Sequence, residues 1–217
     1  MNFPNDTQHH AIIGANGSGK TQAGLWFLSR RSYLSKPWVI YDWKYDDLIA
    51  EIEGIQELSV FDKIPERAGL YIVHPEPDQA DAVDLQFRQI WSQENTGVYI
   101  DEGYMLGVKS REFRSLLTQG RSKHIPLIIL SQRPSWIDRF VFTESQFFSV
   151  FRLQHSDDLK SVQQFIPYDI SERLPKYWSY YYDVNANELA KMEPVPDRKI
   201  IIQTFNSRLR TIKKIIA

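Results

Sequence analysis

The chain has 217 residues, 24% of them charged and 42% hydrophobic, no cysteine, and a formal net charge of −1. One α/β domain can absorb that length, and a chain of this size buries roughly 70% of its unfolded surface without a disulfide or metal staple. The missing cysteine excludes a thiol nucleophile, a zinc ribbon and an iron–sulfur centre, and the near-zero charge argues, as a total, against a nucleic-acid partner.

The total hides its distribution. Residues 198–217 carry six basic side chains (Arg198, Lys199, Arg208, Arg210, Lys213, Lys214) and no acidic one, which leaves residues 1–197 at −7. An acidic body therefore carries a basic tail. No segment approaches 18 consecutive apolar residues, and the opening MNFPNDTQHH has neither a basic lead nor an apolar stretch. Neither a transmembrane span nor a secretory signal is readable, so an intracellular protein is the expectation.

In chain order, AIIG (11–14), WVIYD (38–42), LYIV (70–73), VYID (98–101), PLIILS (126–131) and FFSVFRL (147–153) read as strands. They are rich in Val, Ile and aromatics and lack polar alternation, as strands covered on both faces do. Between them, Val83, Phe87, Ile90 and Trp91 recur at helical spacing in 79–92. Phe113, Leu116 and Leu117 do so in 110–120, and Leu159, Val162, Phe165 and Ile166 in 157–166. Such alternation predicts βαβ units and a mainly parallel sheet with helices on both faces. Toward the end, YWSYYYDV (177–184) and ELAKM (188–192) read as a hairpin, KIIIQTF (199–205) as a further edge strand, and RLRTIKKIIA as a short basic helix. Residues 1–197 are expected to form one domain, with 198–217 as its basic strand-and-helix extension.

The strongest chemical signal is Gly14-Ala15-Asn16-Gly17-Ser18-Gly19-Lys20-Thr21, a G-x-x-x-x-G-K-[ST] phosphate loop between an apolar strand and a helical stretch. Its glycines let backbone N–H groups turn onto phosphates, where a helix N-terminus adds partial positive charge. Lys20 is expected to reach the β and γ phosphates of ATP, and the Thr21 hydroxyl to ligate Mg²⁺. Val98-Tyr99-Ile100-Asp101-Glu102 then ends a buried strand in two carboxylates at the carboxyl edge of the sheet. Asp101 is expected to hold Mg²⁺ through water and Glu102 to polarise the attacking water. A protein-borne base suits a phosphohydrolase, whereas a small-molecule kinase uses the acceptor hydroxyl. Gln132, at the tip of PLIILS, carries both donor and acceptor and is suited to sensing the γ-phosphate. Arg121 has two readings: a cation at a helix C-terminus, or an arginine finger reaching the next subunit's site.

Together these stretches resemble the FtsK/HerA superfamily of ring-forming DNA-pumping ATPases. The resemblance runs over HHAIIGANGSGKT, VIYDWKYDD with its Asp42-x-Lys44, VYIDE, GRSKHIPLIILSQRP and FFSVFRLQHSDDLKSV. It implies a RecA-like P-loop fold, nucleotide and Mg²⁺ at Lys20 and Thr21, hydrolytic roles for Asp101 and Glu102, a sensor at Gln132 and a trans finger at Arg121. With the P-loop strand starting near residue 11, the core is similar to the genome-packaging ATPases of tailless, membrane-containing double-stranded DNA viruses. That implies double-stranded DNA bound without sequence preference, a homo-oligomeric ring, capsid-vertex, portal or membrane partners, and a place in the host cytoplasm or at the virion packaging vertex.

The tail has three readings: a helix packing Leu209, Ile212 and Ile216 onto the body, a DNA backbone contact, or attachment to an anionic surface. Lys109, Arg111 and the stretch from Arg133 to Arg139 with Trp136 are candidates for a ring pore. The five histidines show no metal-type spacing. Two competing functions stand beside DNA packaging: a small-molecule or nucleotide kinase, and an assembly or secretion ATPase that moves no DNA. The chain has no guanine-specific N-K-x-D and no transporter-type signature.

Overall fold

The structure is a computed structural model describing residues 2–106 and 110–216, with 212–216 as backbone alone. Its strands are β1 (His10–Ile13), β2 (Pro37–Asp42), β3 (Gln56–Leu58), β4 (Gly69–Val73), β5 (Gly97–Asp101), β6 (Leu127–Ser131), β7 (Phe147–Phe151), β8 (Ser179–Asp183) and β9 (Glu188–Met192). Its helices are α1 (Lys20–Leu28), α2 (Asp47–Ala50), α3 (Ala80–Gln93), α4 (Arg111–Gln119), α5 (Phe140–Glu144), α6 (Ser156–Gln163) and α7 (Arg198–Ile216). The strands join one sheet in the order β3-β4-β2-β5-β6-β1-β7-β8-β9. Pairing is parallel from β3 to β7, and the β8–β9 hairpin adds two antiparallel strands at one edge.

Each long strand sends alternate side chains to two cores. Ile12, Trp38, Ile40, Tyr99, Ile128 and Leu130 pack beneath α1, α2 and α7. Ala11, Ile13, Val39, Tyr41, Val98, Ile100 and Ile129 pack beneath α3, α4, α5 and α6. Both faces are covered, which is why the strands read as unbroken apolar runs. The helical stripes lie where the periodicity puts them: Val83, Phe87 and Ile90 on α3 and Phe113, Leu116 and Leu117 on α4 are buried. Helix α1 comes unusually close to the sheet at Gly24, where a Cβ would meet the Tyr99 hydroxyl at 2.8 Å.

The segment 199–205, expected as a strand, is the first part of the long helix α7. Three consecutive isoleucines carry strand propensity, but only one face of the segment finds a core. Ile201, Phe205 and Leu209 are 1%, 0% and 4% exposed, while Ile200 is 53% exposed. That spacing of four is helical, and tertiary packing overrides the local preference. Asp197 starts the helix, its Oδ1 accepting from the Lys199 N–H at 2.9 Å.

The tail's charges are partly spent on the body. Arg198 pairs with Glu51 and Arg210 with Glu53. The Arg208 guanidinium lies 4.5 Å from the Tyr33 ring centre and donates to the carbonyls of Ser29 and Arg31. Of the three readings of the tail, the packed helix holds through residue 211, with Leu209 buried. The side chains of Ile212 and Ile216 lie outside the described residues.

Candidate active site

The phosphate loop joins β1 to α1, and its backbone needs glycine. Gly17 has φ 70° and Gly19 φ 97°, the left-handed region where a side chain is strained. Gly14 N–H donates to the Ser131 carbonyl at 3.1 Å and Ala15 N–H to the Arg152 carbonyl at 3.0 Å. The loop is thus anchored to the ends of both strands flanking β1. Lys20 is 4% exposed, and its burial lowers the ammonium pKa against the opposing pull of Glu102.

Strand β6 lies between β1 and β5. Gln132, just past β6, therefore stands between the phosphate loop and the carboxylates that end β5. Asp101 and Glu102 are each 1% exposed. Glu102 has φ 59°, a non-glycine in the left-handed region, a cost that structures retain mainly at functional sites. Its Oε1 lies 3.6 Å from Nζ of Lys20 and pairs with Nζ of Lys44. Gln132 Nε2 donates to the Tyr104 hydroxyl at 3.1 Å.

Asp101 has two carboxylate oxygens buried without a hydrogen-bond partner, as are Glu102 Oε2 and Ser18 Oγ. Buried oxygens are rarely left so unless a ligand, ion or water completes them. Burial first, then the charges of Glu102 and Asp42, push the Asp101 pKa up to about 7. The register explains the second carboxylate: Asp42 and Asp101 are paired residues at the ends of β2 and β5. The two unpartnered Asp101 oxygens suit the donor chemistry of a divalent cation.

The expected loop residues Gly14 to Thr21, with Asp101, Glu102 and Gln132, come together at the carboxyl edge of the sheet. Arg121 does not join them. It follows α4 at the amino edge, before β6 begins. The length of that strand, roughly 13 Å at 3.3 Å per residue, separates its end from Gln132. It is exposed and makes no ion pair among the described residues, so it contributes nothing to its own chain's site. Of the pore candidates, Lys109 lies outside the described residues. Arg111 opens α4, and Trp136 is 54% exposed with the Arg133 guanidinium 4.4 Å from its ring.

Two participants had no assigned role in the sequence. Lys44 was visible only as part of the Asp42-x-Lys44 pattern. Its place beside Glu102 follows because Asp42 Oδ1 and Oδ2 accept from the N–H groups of Lys44 and Asp46, at 3.0 and 2.9 Å, folding the chain back toward β5. Burial opposes the Lys44 charge, but the hydrogen bond and charge of Glu102 more than offset it and raise its pKa. Tyr104 gave no sequence signal, because a tyrosine after a strand is common.

A phosphate loop, two buried carboxylates at the end of β5, one of them beside the loop lysine, and a glutamine after the intervening strand make up the site of a P-loop ATPase. No family model matches the chain. The chain is 42% identical, over 95% of each sequence, to the DNA packaging ATPase P9 of Enterobacteria phage PRD1, and it belongs to that family. Among solved structures it is similar to the genome packaging NTPase B204 of Sulfolobus turreted icosahedral virus 2 in complex with AMPPCP. There the TM-score is 0.67 at 17% identity, over 88% of this chain and 100% of that one. EssC (ATPases 2 and 3) of Geobacillus thermodenitrificans shares the fold at TM-score 0.66 and 12% identity, over 96% of this chain and 44% of that one.

Proposed function

We propose that this viral DNA packaging ATPase hydrolyses ATP to drive double-stranded DNA into a preformed capsid, working as a homo-oligomeric ring at the packaging vertex. The observation that carries the reading is Glu102 held beside Lys20 at the mouth of the phosphate loop. A carboxylate there can polarise water toward a γ-phosphate, which a kinase site has no use for. Family membership supplies the DNA, because the phage PRD1 relative is a DNA packaging ATPase. Nothing in the site favours the kinase or secretion readings.

In this reading the loop N–H groups and Lys20 bind the β and γ phosphates and hold them in line with Glu102. Mg²⁺, when bound, would be held by Thr21 and by Asp101 through water, and supplies positive charge against the phosphate oxygens. Glu102 orients the attacking water and accepts its proton at a carboxylate oxygen. Gln132, fixed by Tyr104, touches the γ-phosphate or that water and changes partner when the phosphate leaves. Arg121, at the far edge of the sheet, serves the neighbouring subunit's site. DNA is met by residues lining the central channel, one set per subunit, so a total charge of −1 per chain is no obstacle.

The test is ATP hydrolysis by the assembled protein with and without double-stranded DNA. Hydrolysis should rise with DNA irrespective of sequence. In Glu102→Gln it should fall at least about 100-fold while ATP binding persists. Turnover indifferent to DNA in the assembled state would overturn the translocase reading.

A further inference from the structure

The direction of the phosphate chain is fixed by the strand order. Glu102 and Gln132 follow β5 and β6, on one side of β1, so the γ-phosphate end faces that side. The nucleoside end must leave on the other side, toward β7 and β8. There the fold contains a cavity of about 370 Å³ that begins at the phosphate loop. Its walls are Asn16 and Gly17, then Arg152 and Gln154 after β7, then the segment Arg173 to Trp178 leading into β8.

Tyr177 stands at the junction. It lines this cavity and also the adjoining one of about 310 Å³ that holds Lys20, Thr21 and Lys44. Its ring lies on the loop itself: a Cβ added at Gly19 would come 3.2 Å from Tyr177 Cδ1. The residue has φ 69° and yet leaves 46% of its surface exposed. A large aromatic held out of the core by a costly backbone needs a partner to justify that position. The Lys176 ammonium, 4.6 Å from the ring centre, supplies one contact, and the residue remains a wall of the cavity. Arg152, Gln154 and Arg173 are exposed at the same cavity, and among the described residues their side chains make no ion pair or hydrogen bond.

We propose that this cavity is the nucleoside subsite, with the base stacked on the Tyr177 ring, its edge read by the Gln154 amide, and the ribose and α-phosphate met by Arg152 and Arg173. The assignment rests on the nucleoside-triphosphate reading above and adds how the base is recognised. Stacking accepts any purine face, so discrimination among bases falls to Gln154, which offers one donor group and one acceptor. Gly19 then matters for a second reason besides its backbone angle, since a side chain there would press on the ring.

The experiment measures equilibrium binding of ATP and of inorganic tripolyphosphate, which lacks a nucleoside, to the parent protein, Tyr177→Ala, Tyr177→Phe and Lys20→Ala. Tyr177→Ala should weaken ATP about tenfold or more and leave tripolyphosphate within about twofold. Tyr177→Phe should match the parent for both, because the ring and not the hydroxyl stacks. Lys20→Ala should weaken both ligands and so controls for phosphate binding. Equal loss of ATP and tripolyphosphate in Tyr177→Ala would overturn the assignment and leave Tyr177 as a support for the loop. So would unchanged ATP binding in a parent that binds ATP well. A parent that binds tripolyphosphate but gains nothing from the nucleoside would also overturn it. A parent that binds neither would overturn the nucleotide reading along with it.

Discussion

Lys20 and Lys44 share a single oxygen of Glu102: Nζ of Lys20 lies 3.6 Å from Oε1, and Nζ of Lys44 is paired with the same atom. The residue proposed to polarise water is therefore held between the loop lysine and a lysine just past the end of β2. An arriving triphosphate competes for Lys20. Glu102 is then left with Lys44 as its cationic neighbour.

That sharing predicts a non-additive pair. Lys44→Ala leaves a buried carboxylate with a more distant partner and should destabilise the ligand-free protein by about 1 kcal/mol. The figure is small because Lys44 is 38% exposed and partly screened. In a Glu102→Gln background the same change should cost nearly nothing. Urea unfolding of the four proteins closes the cycle, and additive losses would show that the two groups do not interact.

Asp101 gives a pH dependence whose sign is fixed. Its pKa is about 7 in the folded chain against 3.8 for the free side chain, so the folded state binds the extra proton between those values. Stability of the ligand-free protein is therefore withdrawn by this group as pH rises from about 4 to about 7, and no further above that. Asp101→Asn should be the more stable protein at pH 8, by a margin that shrinks steadily toward pH 4. Thermal unfolding across that range measures the margin. Mg²⁺ with nucleotide should then stabilise the parent much more than the variant.

Phe205 tests the role of the terminal helix. It is fully buried on the inward face of α7 and stacked on Tyr33 at 5.8 Å between ring centres. Phe205→Ala should cost about 3–5 kcal/mol, while Lys199→Ala on the exposed face should change stability by less than about 0.5 kcal/mol. Chemical denaturation of both variants checks this. A mild Phe205→Ala would mean the helix is an appendage and its charges are free for other partners.

Arg121, exposed at the edge of the sheet opposite its own site, calls for a mixing experiment that tests the proposed role in a neighbouring subunit. Arg121→Ala subunits retain an intact phosphate loop, and Glu102→Gln subunits retain an intact arginine. Each alone should be nearly inactive, and mixtures should recover ATP hydrolysis at intermediate ratios. Absence of recovery at every ratio would reduce Arg121 to a cation at the end of α4.

How much of this was legible in the sequence differs from element to element. The phosphate loop was fully readable, because its chemistry is carried by consecutive residues whose backbone must turn in one way. Asp101 and Glu102 were readable because an apolar strand ending in two carboxylates has one sensible place in a parallel sheet. The stripe on α4 was readable from periodicity alone. The terminal segment 199–205 was not: three adjacent isoleucines satisfy a strand pattern as well as a helix pattern. Only the core beneath α7, which accepts Ile201 and Phe205 but not Ile200, chooses between them. Lys44, Tyr104 and Tyr177 escaped for a related reason, since each acts on a residue far along the chain.

The opening arithmetic divides in the same way. Composition alone determined that no thiol, zinc-ribbon or iron–sulfur chemistry is available here, and the local order of residues determined a nucleotide site. Where the charge acts was decided by tertiary structure. It turned three arginines of the basic tail back onto Glu51, Glu53 and the end of α1, and it set two lysines on one glutamate oxygen. The reason is physical: composition sums charge over the chain, whereas Coulombic and hydrogen-bond energies depend on separations of a few ångströms that only the fold assigns.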